Sequence, residues 1–76
     1  MFHSGNLVKS PSHMIHAYVG WSAKSDYPTP TYCKIDPDSL GILIRHRTNQ
    51  HKDAYFFVMF GNKFGWVRDT WLAILE

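Results

Sequence analysis

Seventy-six residues with a formal net charge of +2 describe one small domain, and a chain of this length buries only roughly 60% of its unfolded surface, so its core has to be dense. Apolar residues make up 45% and aromatics 16%, and the single cysteine, Cys33, excludes an internal disulfide and with it the bridged mini-protein class. The mild basic excess permits contact with nucleic acid without demanding it. With no basic leader before an apolar run and no membrane-length apolar stretch, the expected location is the cytoplasm.

Along the chain, Gly5-Asn6-Leu7-Val8-Lys9 is apolar in the middle and halted by Ser10-Pro11, as a short edge strand is. Residues 10–39 then hold two strand-like runs, Met14-Ile15-His16-Ala17-Tyr18-Val19-Gly20-Trp21 and Thr31-Tyr32-Cys33-Lys34-Ile35. A Ser, Asp and Pro-rich segment, 22–30, separates them, so the whole is predicted as a long hairpin-like excursion. Pro28, Pro30 and Pro37 lack amide donors and fix φ, which keeps the excursion from being central in a sheet along its whole length.

From Leu40 the pattern sharpens. Leu40-Gly41-Ile42-Leu43-Ile44-Arg45-His46-Arg47 and Ala54-Tyr55-Phe56-Phe57-Val58-Met59-Phe60 are strand runs, joined through the polar residues 48–53. Gly61-Asn62-Lys63 is a tight turn in which Gly61 or Asn62 takes positive φ, and Phe64-Gly65-Trp66-Val67 returns antiparallel. Arg68-Asp69-Thr70-Trp71 has room for one 3₁₀ turn before Leu72-Ala73-Ile74-Leu75 closes as a last short strand. Helical periodicity, repeats and low-complexity tracts are absent, so the fold class is all-β.

The segment Gly65-Trp66-Val67-Arg68-Asp69-Thr70-Trp71-Leu72-Ala73-Ile74 resembles the closing part of SH3-like domains, where a strand leads through a 3₁₀ turn into the last strand. With the order of the other elements, the resemblance covers residues 5–75 and implies a single small barrel of roughly five strands. The chain is similar in style to the short, stand-alone SH3-like proteins of bacteria and their phages; a phage origin would place it in the host cytoplasm. In peptide-binding members the 3₁₀ segment carries a proline and a groove tyrosine. Arg68 and Trp71 stand in those places here, which points away from a polyproline ligand.

Alternation along the second long run sets Ala54, Phe56, Val58 and Phe60 on one face and Tyr55, Phe57 and Met59 on the other, so both faces are apolar. Either the excursion covers the second face with Tyr18, Trp21 or Tyr32, or that face is an interface. Trp66, on the strand, is expected in the core, and Trp71, in the turn, at the surface. Catalysis is not expected: the only Glu is the terminal Glu76, Asp36-Pro37-Asp38 reads as a turn, and no phosphate-binding glycine loop occurs. His3, His13 and His16 with Cys33 lack the paired spacing of a zinc site, so no metal or other cofactor is expected.

These readings converge on a binding or assembly module that docks a protein or peptide through an aromatic surface of Tyr18, Trp21, Tyr27, Tyr32 and Trp71, residue types that dominate binding hot spots. A second reading is a nucleic-acid accessory protein contacting phosphates through Arg45, Arg47, Lys52, Lys63 and Arg68, among which His46 and His51 are interspersed. A third, motivated by the two-sided apolar strand, is a self-associating structural or virion subunit.

Overall fold

The computed structural model describes residues 5–75. Nine strands and one 3₁₀ turn follow in the order β1 (Leu7–Lys9), β2 (Ile15–Tyr18), β3 (Trp21–Ser22), β4 (Tyr27–Pro28), β5 (Tyr32–Ile35), β6 (Leu40–Thr48), β7 (Ala54–Phe60), β8 (Lys63–Arg68), the turn (Asp69–Trp71) and β9 (Ala73–Leu75). The main sheet has seven strands in the order β5-β2-β8-β7-β6-β1-β9, every pairing in it antiparallel, and β3 and β4 form a separate small ribbon.

The all-β class, the meander β6-β7-β8, the hairpin-like excursion and the 3₁₀ turn before the last strand follow the sequence reading. The closed barrel of about five strands does not. The excursion contributes strands of its own, β2 and β5 paired from Ile15↔Ile35 to Tyr18↔Tyr32, which raises the count to seven. The sheet stays open, with β5 and β9 as its two edges. Pro30 and Pro37 bracket β5 and limit it to four residues, while β9 has three, so neither edge is long enough to wrap round to the other.

The meander's turn is as expected: Gly61 has φ 64° and the pair Phe60↔Lys63 closes a two-residue loop. A bulge between Leu43 and Arg45 leaves both Ile44 and Arg45 beside Phe57 and bends β6. Val8, Leu43, Phe56, Val58, Phe60 and Val67 form the core together with Ile15, Ala17 and Ile35 from the β2–β5 hairpin. Each large side chain among them contributes about 1.5–3 kcal/mol on burial.

The hairpin therefore lies over the inner face of the meander, and one glycine sets how closely. A Cβ at Gly65 would stand 2.7 Å from the carbonyl carbon of Ala17 and 2.8 Å from its Cβ. Only glycine lets β2 cross β8 at this distance.

The second face of β7 is graded rather than wholly covered or bare. Tyr55 is buried beneath Trp21 from the excursion, Phe57 is half-buried, and Met59 is 44% exposed.

Candidate functional site

β2 and β8 share one register pair, Tyr18↔Trp66. Toward the start of β2 they part, because that strand keeps its pairing with β5 while the chain after β8 turns into the 3₁₀ segment. The parting leaves a groove of about 350 Å³. Ile15 and Val67, both buried, lie at its base, and Tyr18, Tyr55, Arg68, His13 and Trp71 rise around it.

Trp71 is held out of the core by the turn. The Leu72 amide donates to the Asp69 carbonyl at 3.3 Å, closing three residues none of which is buried. The indole remains 45% exposed and meets the His13 ring edge-on at 5.3 Å. A large ring exposed to this degree keeps nearly half of its contact area unused.

The polar lining consists of His13, His16, Arg68 and the Tyr18 and Tyr55 hydroxyls, with no Asp or Glu side chain among the described lining residues. Arg68 lies over the Tyr55 ring at 5.4 Å and pairs with Asp53 at 3.4 Å, yet its Nε–H is buried with no hydrogen-bond acceptor among the described residues. A buried donor without a partner costs about 1–3 kcal/mol.

Beside the groove, the tip of the excursion is latched onto the β6–β7 connection. Asp26, at φ 56°, accepts from the Trp21 Nε1–H at 3.3 Å and from the Gln50 amide at 2.7 Å, and pairs with Arg47 at 3.8 Å. The Arg47 guanidinium stacks over Trp21 at 4.5 Å, and Trp21 packs edge-on against Trp66 at 5.0 Å and Tyr55 at 5.5 Å. The Tyr27 hydroxyl donates to Asp53 at 3.1 Å while its ring stacks on His51 at 5.3 Å. Partial desolvation and the bond to the Asp53 carboxylate raise the Tyr27 pKa above the ordinary 10.0. Asn49 fixes the connection itself, its Oδ1 accepting from the amides of His51 and Asp53, each at 2.9 Å.

Of the five aromatic candidates, Tyr18 and Trp71 line the groove together. Tyr32 borders it, stacked on His16 at 3.9 Å and edge-on to Tyr18 at 6.1 Å. Trp21 and Tyr27 belong to the latch, where they support Tyr55 and Asp53 rather than face a ligand. Of the five basic candidates, Arg45, Arg47 and Arg68 fall by register on one face of the meander, but they do not form a free basic surface. Arg47 and Arg68 are paired with Asp26 and Asp53, and Lys63 Nζ donates to the Lys34 carbonyl at 3.0 Å. Lys52 sits in the exposed β6–β7 connection and Arg45 beside Phe57 on the outer face.

Sequence reasoning missed His13 and Tyr55, and assigned Arg68 to a different role. A signal was present for two of them: the tight turn at Gly61 fixes a register in which Tyr55 pairs with Arg68. Among the described residues no group of three or more His, Cys, Asp or Glu side chains is placed to hold a metal ion, and no helix is long and apolar enough to cross a membrane. Comparison of the chain with protein-family models, curated proteins and solved structures finds no match.

Proposed function

We propose that this chain is a non-catalytic binding module of the SH3-like kind, which docks an extended segment of a partner protein in the groove between β2 and the 3₁₀ turn. The observation that carries the reading is Trp71, half-exposed at the rim of the groove with its ring against His13, with Tyr18 and Tyr55 lining the same cleft. The SH3-like assignment is supported by the succession of short first strand, hairpin excursion, three-strand meander, 3₁₀ turn and a last strand that pairs with the first.

At about 350 Å³ the groove is at the small end of ligand sites, suited to a few side chains of an extended peptide laid over rings rather than to an enclosed cofactor. The lining selects the segment's chemistry. With His13, His16 and Arg68 in it and no Asp or Glu side chain among its described residues, a peptide carrying carboxylates meets no like charge there, and the exposed rings favour alternate apolar side chains.

The test uses three fluorescein-labelled peptides in which leucine alternates with glutamate, glutamine or lysine, titrated with the protein and read by anisotropy. The glutamate peptide is expected to bind tightest and the lysine peptide weakest. Trp71→Ala should weaken the glutamate peptide at least about tenfold with an unchanged far-ultraviolet spectrum; unchanged affinity in that variant would remove the groove from the function.

A further inference from the structure

Strand register alone draws a continuous apolar row across the outer face of the main sheet. Leu75 pairs with Leu7, Leu7 with Ile42, Ile42 with Met59 and Met59 with Phe64, so five strands from β9 to β8 each place one apolar side chain on a single line. Directly paired residues in an antiparallel ladder share a face. Leu40, two positions along β6, extends the row on that same face. Leu7 is 43% exposed, Leu40 56%, Ile42 48%, Met59 44% and Phe64 42%. The alternate residues Val8, Leu43 and Val58 already fill the core, so these strands are apolar on both sides. An antiparallel sheet with one wet face normally alternates apolar with polar. Among the described residues Trp21 packs at the Trp66 and Tyr55 end, and the row stays about half exposed.

The size of the patch bears on what covers it. With strands about 4.8 Å apart the row is roughly 19 Å long, and with Leu40 and side-chain width the patch is roughly 400–500 Å². That lies in the middle of the range of about 300–600 Å² for the largest apolar patch on a monomer, a patch that is often functional. A stable pair takes about 800 Å² from each partner, as an apolar centre within a polar rim. The patch supplies such a centre, and the rim holds both signs of charge. Lys9, paired with Asp38 at 3.6 Å, lies on the Leu40 side, and Arg45 lies on the Phe57 side.

We infer that this face joins a second copy of the chain, sheet against sheet, about a two-fold axis running along the row. That axis sets each row residue over its own mate and carries Arg45 of one copy to the Lys9–Asp38 flank of the other, where the Asp38 carboxylate is 55% exposed; symmetry makes the contact twice. An axis at right angles, along the strands, would bring Arg45 against Arg45 instead. The row lies outside the groove at β2 and the 3₁₀ turn, so the pairing does not depend on the peptide-binding reading.

Sedimentation equilibrium of the full chain from about 10 µM to 1 mM decides the matter, with a reversible monomer–dimer equilibrium expected in that range. Met59→Lys and Ile42→Lys should each raise the dissociation constant at least about tenfold while leaving the far-ultraviolet spectrum unchanged, since both side chains are exposed in the monomer. Arg45→Glu should weaken the dimer by a smaller factor that shrinks as salt is added. A wild-type chain monomeric throughout, or a Met59→Lys chain that pairs as tightly as wild type, overturns the inference. So does a monomer that instead sediments with phosphatidylserine vesicles, which would assign the face to an anionic lipid surface.

Discussion

Trp66 and Trp71 stand five positions apart, and truncating each to alanine should have opposite consequences. Trp66 is 6% exposed and packs against Trp21 at 5.0 Å and Phe57 at 5.1 Å, so its removal empties a space walled by two other rings. Such a loss costs about 3–5 kcal/mol. A domain this small holds little more than about 5 kcal/mol in total, so Trp66→Ala should be near the edge of folding in water. Trp71 is 45% exposed, makes one ring contact among the described residues, to His13, and belongs to a turn with no buried residue. Its truncation should cost about 1 kcal/mol or less. Urea titrations followed by far-ultraviolet circular dichroism separate the two. With a slope of about 1 kcal/mol/M for a chain of this size, the midpoint should fall by about 3–5 M for Trp66→Ala, or no folded baseline should remain, and by less than about 1 M for Trp71→Ala. Equal losses, or a larger loss from Trp71→Ala, would refute the division of one ring for the core and one for the surface.

Three further outcomes are expected. Gly65→Ala places a methyl group against the Ala17 backbone, which cannot yield as a side chain can, and should cost about 1–3 kcal/mol or more in thermal denaturation while also weakening peptide binding, because β2 is forced off β8. Asp26→Ala removes the acceptor shared by Trp21, Gln50 and Arg47, and should cost about 1–2 kcal/mol and reduce the near-ultraviolet signal of Trp21. The Tyr27 phenol has its folded-state pKa raised above the unfolded value of 10.0, so its contribution is fully present below about pH 10 and is lost as pH rises through the folded value. Stability measured across that alkaline range should fall more steeply for wild type than for Tyr27→Phe.

The fold was legible where local chemistry and long-range pairing agree. The meander could be read because its runs are long, rich in β-branched and aromatic residues, and joined at Gly61 by a turn that needs positive φ. The ribbon β3–β4 was not legible: it is two residues on each side, inside a segment whose Ser, Asp and Pro content signals a loop. What holds that tip is Asp26, whose partner Gln50 is 24 positions away, a contact no local pattern announces. Closure failed as an expectation for a similar reason, since the number of paired strands depends on where β2 lands on β8, and Gly65 sets that through Ala17. Trp71 and Tyr18, which line the groove, could be singled out from their positions in a turn and an excursion. His13 could not, because it reaches the groove only where β2 and β8 part.

The chain has three tryptophans, and each indole reports a different place: Trp21 the latch, Trp66 the core and Trp71 the groove. Nitrogen-15 correlation spectra recorded while the alternating leucine–glutamate peptide is added read all three at once. A progressive, saturable shift of the Trp71 indole signal with the Trp66 signal unmoved is the expected result. Saturable binding that leaves the Trp71 signal in place would contradict the assignment of the groove as the binding site.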